Sequence, residues 1–434
     1  MDGERRTIVF FPEGAFGPTN NCVGIADVLR RRGHRTVFIV EESFAGTLEA
    51  RGFEERLMRL GPPPAVEETP GQFWKDFIRE TASVFRLPTI EQIGSFLRPT
   101  WQALVDGARY VDERLVAIID ELAPDVIVED NVVAFPAVVA SGRPWVRIVS
   151  CNPAELRDPA VPPVFSGYPT ADRAGWREFV DEERRCLGDM HASFDEFVRE
   201  RGAPPLDELS FIHESPWLNL YLYPAEADYV RDRPLGATWH RLDSAVRATE
   251  APFELPEPLA SEPGALVYLS LGSLGSADVE LMQHLLDVLA TTPYRVIVSM
   301  GPQHERLRLG PNMTGAEFLP QPSILPVVDV VITHGGNNTV TECFDSGKPM
   351  IVLPLFWDQH DNAQRVDETG FGVRLPTYTF DDPALPAAIA RLLADRPLRS
   401  RLDAVSGRLR AAPGTVRAAH LVERLAREAA PVLR

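Results

Sequence analysis

Short apolar runs alternate with helix-patterned segments in two separate regions of this chain, and that double alternation limits the fold more than any other feature. The first region opens with TIVFF (residues 7–11), passes through the Pro/Gly-rich loop PEGAFGPTNN, and continues as VGIADVLRRRGHR. Val23, Ile25, Val28 and Leu29 have near-helical spacing, and Gly33 suits a helix C-cap. A second apolar run follows, TVFIV (residues 36–40). A strand, a helix and another strand in that order need a crossover connection, which makes the strands parallel. DVIV (residues 125–128) and WVRIVS (residues 145–150) read as further strands of the same sheet. The second region supplies ALVYLSL (265–271), a helix over 281–291, YRVIVSM (294–300), VDVVIT (328–333) and MIVLPL (350–355).

The expected class is α/β, with two Rossmann-like doubly wound domains facing each other across a cleft. Residues 1–235 form the first domain and 264–414 the second. Residues 236–263, rich in Pro and charge and without periodicity, read as the linker. Residues 415–434 form an Arg/Ala/Leu helix. The stretches 60–110 and 155–220 are rich in aromatics, Pro and charge, and read as helices and loops that shape a pocket. Ligands of such sheets bind at the carboxyl ends of the strands, so the cleft is the expected site.

Composition removes several alternatives. Lys and Arg number 44 against 62 Asp and Glu, a formal charge of -18. A chain this acidic repels phosphate backbones and anionic headgroups, which argues against nucleic-acid and membrane-surface binding. A local basic pocket for one small anion stays allowed. Four cysteines without CxxC spacing point to free thiols in a reducing compartment. No apolar run is long enough for a signal peptide or a membrane span, so a soluble, cytoplasmic monomer or homodimer is expected.

The segment that carries chemistry is FLPQPSILPVVDVVITHGGNNTVTECFDSGKPMIVLPLFWDQHDNA, residues 318–363. A strand ends in His334, Gly335, Gly336, Asn337, Asn338 and Thr339, and a helix begins there. Glycine lets the backbone approach a ligand closely. The helix N-terminus adds unpaired N–H groups and a partial positive charge. Such a terminus is an anion site, and a diphosphate fits it. Glu342 lies one turn on, where a carboxylate can accept hydrogen bonds from a ribose diol. Asp358 and Gln359, after the next strand, can hold sugar hydroxyls. Gly272 and Ser273 end the first strand of this half and can close over the phosphates.

In that order, these residues resemble the C-terminal signature of the GT-B-fold, nucleotide-sugar-dependent glycosyltransferases of family 1, which include macrolide-type enzymes and UDP-glycosyltransferases. The elements are Phe318-Leu319-Pro320-Gln321, His334 to Glu342, and Pro354 to Gln359 followed by Asn362. The resemblance implies a role at each position. Phe318 stacks on the base, Leu319 contacts it through the backbone, and Gln321 lies near base and ribose. His334, Gly336, Asn337, Asn338 and Thr339 hold the diphosphate, Glu342 the ribose, and Asp358 and Gln359 the transferred sugar. The C-terminal helix packs back on the first domain.

The first half departs from the family. Members usually carry a basic His after the first strand, held by an Asp after a later one; the ungapped position here is Pro18. The orienting acid corresponds to Asp130, which is present. His34 follows a helix C-cap and reads as structural. The candidate bases are Asp130 and then Glu13; His213, Glu214 and His240 are more remote. An already acidic acceptor would need less help.

The expected reaction is inverting, metal-independent glycosyl transfer to a hydroxyl of a bulky small molecule such as a natural-product aglycone. UDP-hexose is the favoured co-substrate and a TDP-sugar the second, with no other cofactor. Residues 72–101 and 162–217 would supply the acceptor pocket. A weakly catalytic nucleotide-sugar-binding accessory subunit and a nucleotide-sugar epimerase are the alternatives.

Overall fold

The computed structural model describes residues 4–63, 76, 79–248 and 251–434, with the backbone alone for Ser273. Residues 72–75, 77 and 78 of the expected acceptor segment lie outside this set.

Two parallel sheets carry the chain. The first contains β1 (Thr7–Pro12), β2 (Arg35–Glu41), β3 (Glu54–Met58), β4 (Val126–Asp130), β5 (Trp145–Val149), β6 (Leu218–Tyr221) and β7 (Trp239–Arg241). Their spatial order is β3-β2-β1-β4-β5-β6-β7. The second contains β8 (Leu266–Ser270), β9 (Arg295–Ser299), β10 (Met313–Ala316), β11 (Val330–Thr333), β12 (Met350–Val352) and β13 (Gly372–Arg374). Their order is β10-β9-β8-β11-β12-β13. Strands β4, β5, β8 and β11 are buried along their whole length, because helices cover both faces of a parallel sheet. Their sequences are therefore mostly continuous apolar runs.

Seven helices matter to the site. They are α1 (Phe16–Arg31), α2 (Arg98–Leu122), α3 (Trp176–Glu200), α4 (Val279–Ala290), α5 (Asn337–Ser346), α6 (Gln359–Glu368) and α7 (Gly414–Glu428). Helix α1 starts within the stretch that reads as a Pro/Gly loop. Pro18 lies in its first turn, where a missing N–H costs no intrahelical bond and a fixed φ suits the helix.

The segment 236–263 is not a linker throughout. Strand β7 pairs with β6, and Trp239 is buried beneath the first sheet's edge. Helix α7 belongs to the first domain's core. Its Ala418, Val422 and Leu425 share a buried cluster with Cys22, Val23 and Leu29 of α1. His34 joins this seam through Glu423, 3.1 Å away, in the structural role expected of it. Among the described residues, no helix is long and apolar enough to cross a membrane.

Candidate active site

Residues that follow β1, β5, β8, β9, β11 and β12 line one cavity of about 400 Å³ between the sheets. Gly272, Phe318, Leu319, Gln321, His334, Gly336, Asn337, Asn338, Thr339, Glu342, Asp358 and Gln359 are all on its wall, and so is Glu13. Of Ser273 only the backbone is described.

The imidazole of His334 is seated between two glycines. A Cβ on Gly272 would lie 2.7 Å from the ring, and one on Gly336 would lie 2.5 Å from it. Gly272 also holds φ at +73°, a conformation that favours glycine. Burial pulls the His334 pKa down to about 4, partly offset by its bond to the Ser270 carbonyl. The ring is therefore neutral at pH 7. It can exchange a hydrogen bond with a phosphate oxygen.

Helix α5 starts at the carboxyl end of β11 with Gly336 as its N-cap. Two of its first residues also tie the domains together. The Asn338 amide donates to the Gly17 carbonyl (2.9 Å), and its oxygen accepts from Asn21 Nδ2 (2.9 Å). Asn337 Nδ2 donates to the Leu222 carbonyl (2.9 Å). What these two residues have left for a diphosphate is chiefly their backbone N–H groups.

Glu342 is held from two sides. Gln321 Nε2 donates to one oxygen (2.6 Å) and Arg247 Nη1 to the other (3.0 Å). Gln321 also donates to Thr339 Oγ1 (3.2 Å). Phe318 is 53% exposed, leaving a ring face to stack on a base. Asp358 accepts from the Asn152 backbone N–H (2.7 Å) and from Asn362 Nδ2 (3.3 Å). Burial pushes its pKa up to about 7. Gln359 Oε1 accepts from the N–H groups of Leu355 (3.1 Å) and Phe356 (3.3 Å).

The two candidate bases occupy different places. Asp130 is 3% exposed and lies behind the wall, where Ser150 Oγ donates to its Oδ1 (2.7 Å). Ser150 itself lines the cavity. Glu13 is on the wall, and its backbone N–H donates to the Asp130 carbonyl (2.9 Å). Burial, and then the neighbouring carboxylates Asp130, Glu41 and Glu155, push the Glu13 carboxyl up to about 8. Burial moves Asp130 up to about 7 against its bonds from Ser150 and Asn21. The remote candidates do not come in. His213 bonds to the Pro204 carbonyl (2.8 Å) and His240 to that of Val432 (3.1 Å), and Glu214 is on the surface.

Beyond Glu13 the wall is mainly apolar, with Ala15, Phe16, Phe96, Leu104, Phe356 and Trp357 beside Asn20, Thr100 and Ser150. The segment 162–217 supplies none of the cavity's lining; it acts one layer out. Phe165 packs on Trp357 (4.3 Å between ring centroids) and Phe211 stacks on Trp101 (4.4 Å), which in turn touches Trp357 (5.4 Å). Sequence reading misses Arg247, Asn152 and the aromatic pair Phe356-Trp357. Arg247 and Asn152 sit in irregular stretches without a motif. The pair lies inside the signature segment, where its cavity-facing side has no pattern of its own.

Comparison with known proteins agrees with this geometry. Residues 247–406 match the family model described as UDP-glucoronosyl and UDP-glucosyl transferase. A demethyllactenocin mycarosyltransferase of Streptomyces fradiae is 23% identical, over 98% of this chain and 87% of its own length. A zeaxanthin glucosyltransferase of Pseudescherichia vulneris is 28% identical over 72% of this chain and 76% of its own. Among solved structures, the glycosyltransferase of kitacinnamycin superposes with a TM-score of 0.69 at 23% identity, covering 97% of this chain and 98% of its own. Two facing Rossmann-like domains, the signature residues gathered on one cavity wall and these relatives lead to one conclusion: the chain has the GT-B fold, its second half is similar to the UDP-glycosyltransferases, and it is an enzyme of the glycosyltransferase class.

Proposed function

We propose that the protein transfers a hexosyl group from a nucleoside-diphosphate sugar to a hydroxyl of a bulky small molecule, with inversion and without a metal ion. The observation that carries this reading is the shared cavity. Donor-type residues form one side of it, and an aromatic wall with a carboxyl group forms the other.

In this reading the acceptor packs against Phe96, Leu104, Phe356 and Trp357, with its hydroxyl beside Glu13. The ionised Glu13 accepts the hydroxyl proton as the oxygen attacks the anomeric carbon. A pKa of about 8 makes Glu13 a stronger base than an ordinary carboxylate, which supports the assignment. Asp130 acts from behind: its charge helps keep the Glu13 pKa high. A single in-line displacement inverts the anomeric centre, and the diphosphate leaves toward the N-terminus of α5.

Glu342 and Gln321 take the ribose, and Phe318 takes the base. With its oxygen held by two backbone donors, Gln359 offers its amide nitrogen to the sugar. Asp358 beside it favours a donor with free hydroxyls, so UDP-hexose is preferred and a TDP-sugar comes second. In this reading protein donors stabilise the leaving charge, and the EDTA arm of the test below decides whether a metal takes part. The named natural products of the relatives above support a similarly large, apolar acceptor.

The test is the anomeric configuration of the product from UDP-glucose and TDP-glucose with a phenol and macrolide panel, with and without EDTA. A β-glycoside formed equally well with EDTA is expected. An α-glycoside, or loss of turnover with EDTA, contradicts the mechanism. An isomerised sugar nucleotide would indicate an epimerase.

A further inference from the structure

The carboxyl, imidazole and guanidinium side chains on the cavity wall, among the described residues, are Glu13, Glu342, Asp358, His334 and a single arginine, Arg247. A departing nucleoside diphosphate gains negative charge in the transition state. The N-terminus of α5 answers with roughly half an elementary charge. His334, held neutral by its surroundings, adds a hydrogen bond and no charge. The wall is otherwise acidic, so Arg247 carries the one full positive charge among the described side chains that line it.

We propose that Arg247 binds the diphosphate of the donor and supplies the cation for the departing nucleotide. This rests on the donor-site reading above and adds to it a residue outside the signature. Arg247 lies between β7 of the first sheet and β8 of the second. Its backbone is laid on the first domain. A Cβ on Gly24 of α1 would come within 3.1 Å of the Ala245 carbonyl oxygen and 3.5 Å of Arg247 Cα. Its side chain crosses to the second domain, where Nη1 donates to Glu342 Oε1 at 3.0 Å. The two side chains are only 12% and 5% exposed.

This pair places the arginine on the same cavity wall as the start of α5: Glu342 is one helical turn beyond Asn338, and Arg247, Gly336 and Asn338 all line the cavity. A guanidinium is a planar fork of five N–H donors. The bond to Glu342 orients this fork at the cavity wall, and Arg suits phosphate geometry better than Lys. In such an arrangement one residue orders the ribose-binding carboxylate and meets the neighbouring phosphate. It also fastens the interdomain segment over the nucleotide.

The test separates phosphate contact from mere support of Glu342. Wild type, Arg247→Ala and Arg247→Lys are titrated with UDP by calorimetry, and uridine and UMP are ranked by competition with UDP. The thymidine series replaces these where TDP binds better. Thermal unfolding of each variant checks that it is folded. We expect Arg247→Ala to lower UDP affinity by roughly 10–100-fold. Uridine affinity should move less than about threefold, and Arg247→Lys should recover part of the loss because it keeps the charge. Equal losses for uridine and UDP would overturn the proposal and leave Arg247 as a support for Glu342. Unchanged UDP affinity in a folded Arg247→Ala would overturn it as well. A wild-type protein that binds neither UDP nor TDP would instead remove the donor-site reading beneath it.

Discussion

The backbone N–H of Asn152, in the first domain, donates to the carboxylate of Asp358, in the second, over 2.7 Å. Asn152 also donates through its side chain to Asn362 (2.8 Å), so the donor-sugar corner is fastened to the opposite domain at two points. Asp358, the carboxylate assigned to the sugar, is therefore also part of the seam that closes the cleft.

Asp358→Asn keeps an acceptor for the Asn152 N–H but loses the charge offered to the sugar. The variant should stay folded and bind UDP within about threefold of wild type. Its kcat/KM for UDP-glucose should fall roughly 10–100-fold, the loss expected for one charge-assisted hydrogen bond. Steady-state kinetics beside UDP calorimetry checks this. An equal loss of UDP affinity would mean that Asp358 holds the domains rather than the sugar.

Glu13→Gln removes the base. It should lower kcat about 10²–10⁴-fold, the usual contribution of a general base, while leaving UDP affinity nearly intact. In wild type, kcat/KM should rise with pH through about 8 as Glu13 ionises. Asp130→Asn should reduce turnover less and move that limb to lower pH, because it removes a neighbouring charge. A pH profile unmoved in Asp130→Asn would remove the coupling argued above.

Gly272→Ala strains a left-handed backbone and drives a methyl group into the His334 ring. The expected cost is about 1–3 kcal/mol of stability. UDP affinity should weaken with it, since the ring and the phosphate-facing turn shift together. Thermal unfolding and calorimetry read both effects.

Burial raises five carboxyl groups far above the ordinary range: Glu13, Glu129 and Asp361 to about 8, and Asp130 and Asp358 to about 7. Each holds its proton more tightly folded than unfolded. Below about pH 8 the native chain keeps protons that the unfolded chain releases, so stability should increase as the pH is lowered from about 9 to 6.5. Below pH about 6.5 the unfolded chain's histidines begin to take up protons. His334, His360, His213 and His240 resist this when folded, their pKa values held low by burial. The gain should then level off. Unfolding midpoints between pH 5 and 9 test this, and a midpoint that climbs steadily toward pH 9 would contradict it.

What could be read from the sequence follows burial. Central strands such as TIVFF and LVYLS are covered on both faces, so their apolar character is continuous and visible. The strands β3, β7, β10 and β13 are sheet edges, short and partly solvated, and Glu-Glu-Arg or Trp-His-Arg carries no strand period. The donor wall was legible because its residues fall in one continuous segment where a strand turns into a helix. The apolar wall was legible only in part: Phe96 falls in the expected segment 72–101, whereas Phe16 and Trp357 join it only through tertiary packing. Glu13 and Asp130 were both visible as carboxylates after strands. Only the folded chain shows which one reaches the cavity: Glu13 is on its wall, and Asp130, paired with Pro12, lies behind it.

The central claim is that donor and acceptor meet in the cavity shared by the two domains. The most direct measurement is release of nucleoside diphosphate from UDP-glucose and TDP-glucose by the purified protein, with and without phenolic and macrolide acceptors. Release that depends on the acceptor, matches glycoside formed one for one, and is lost in Glu13→Gln is the predicted result. Tight nucleotide binding without acceptor-dependent release across the panel would contradict it and favour a nucleotide-sugar-binding accessory role.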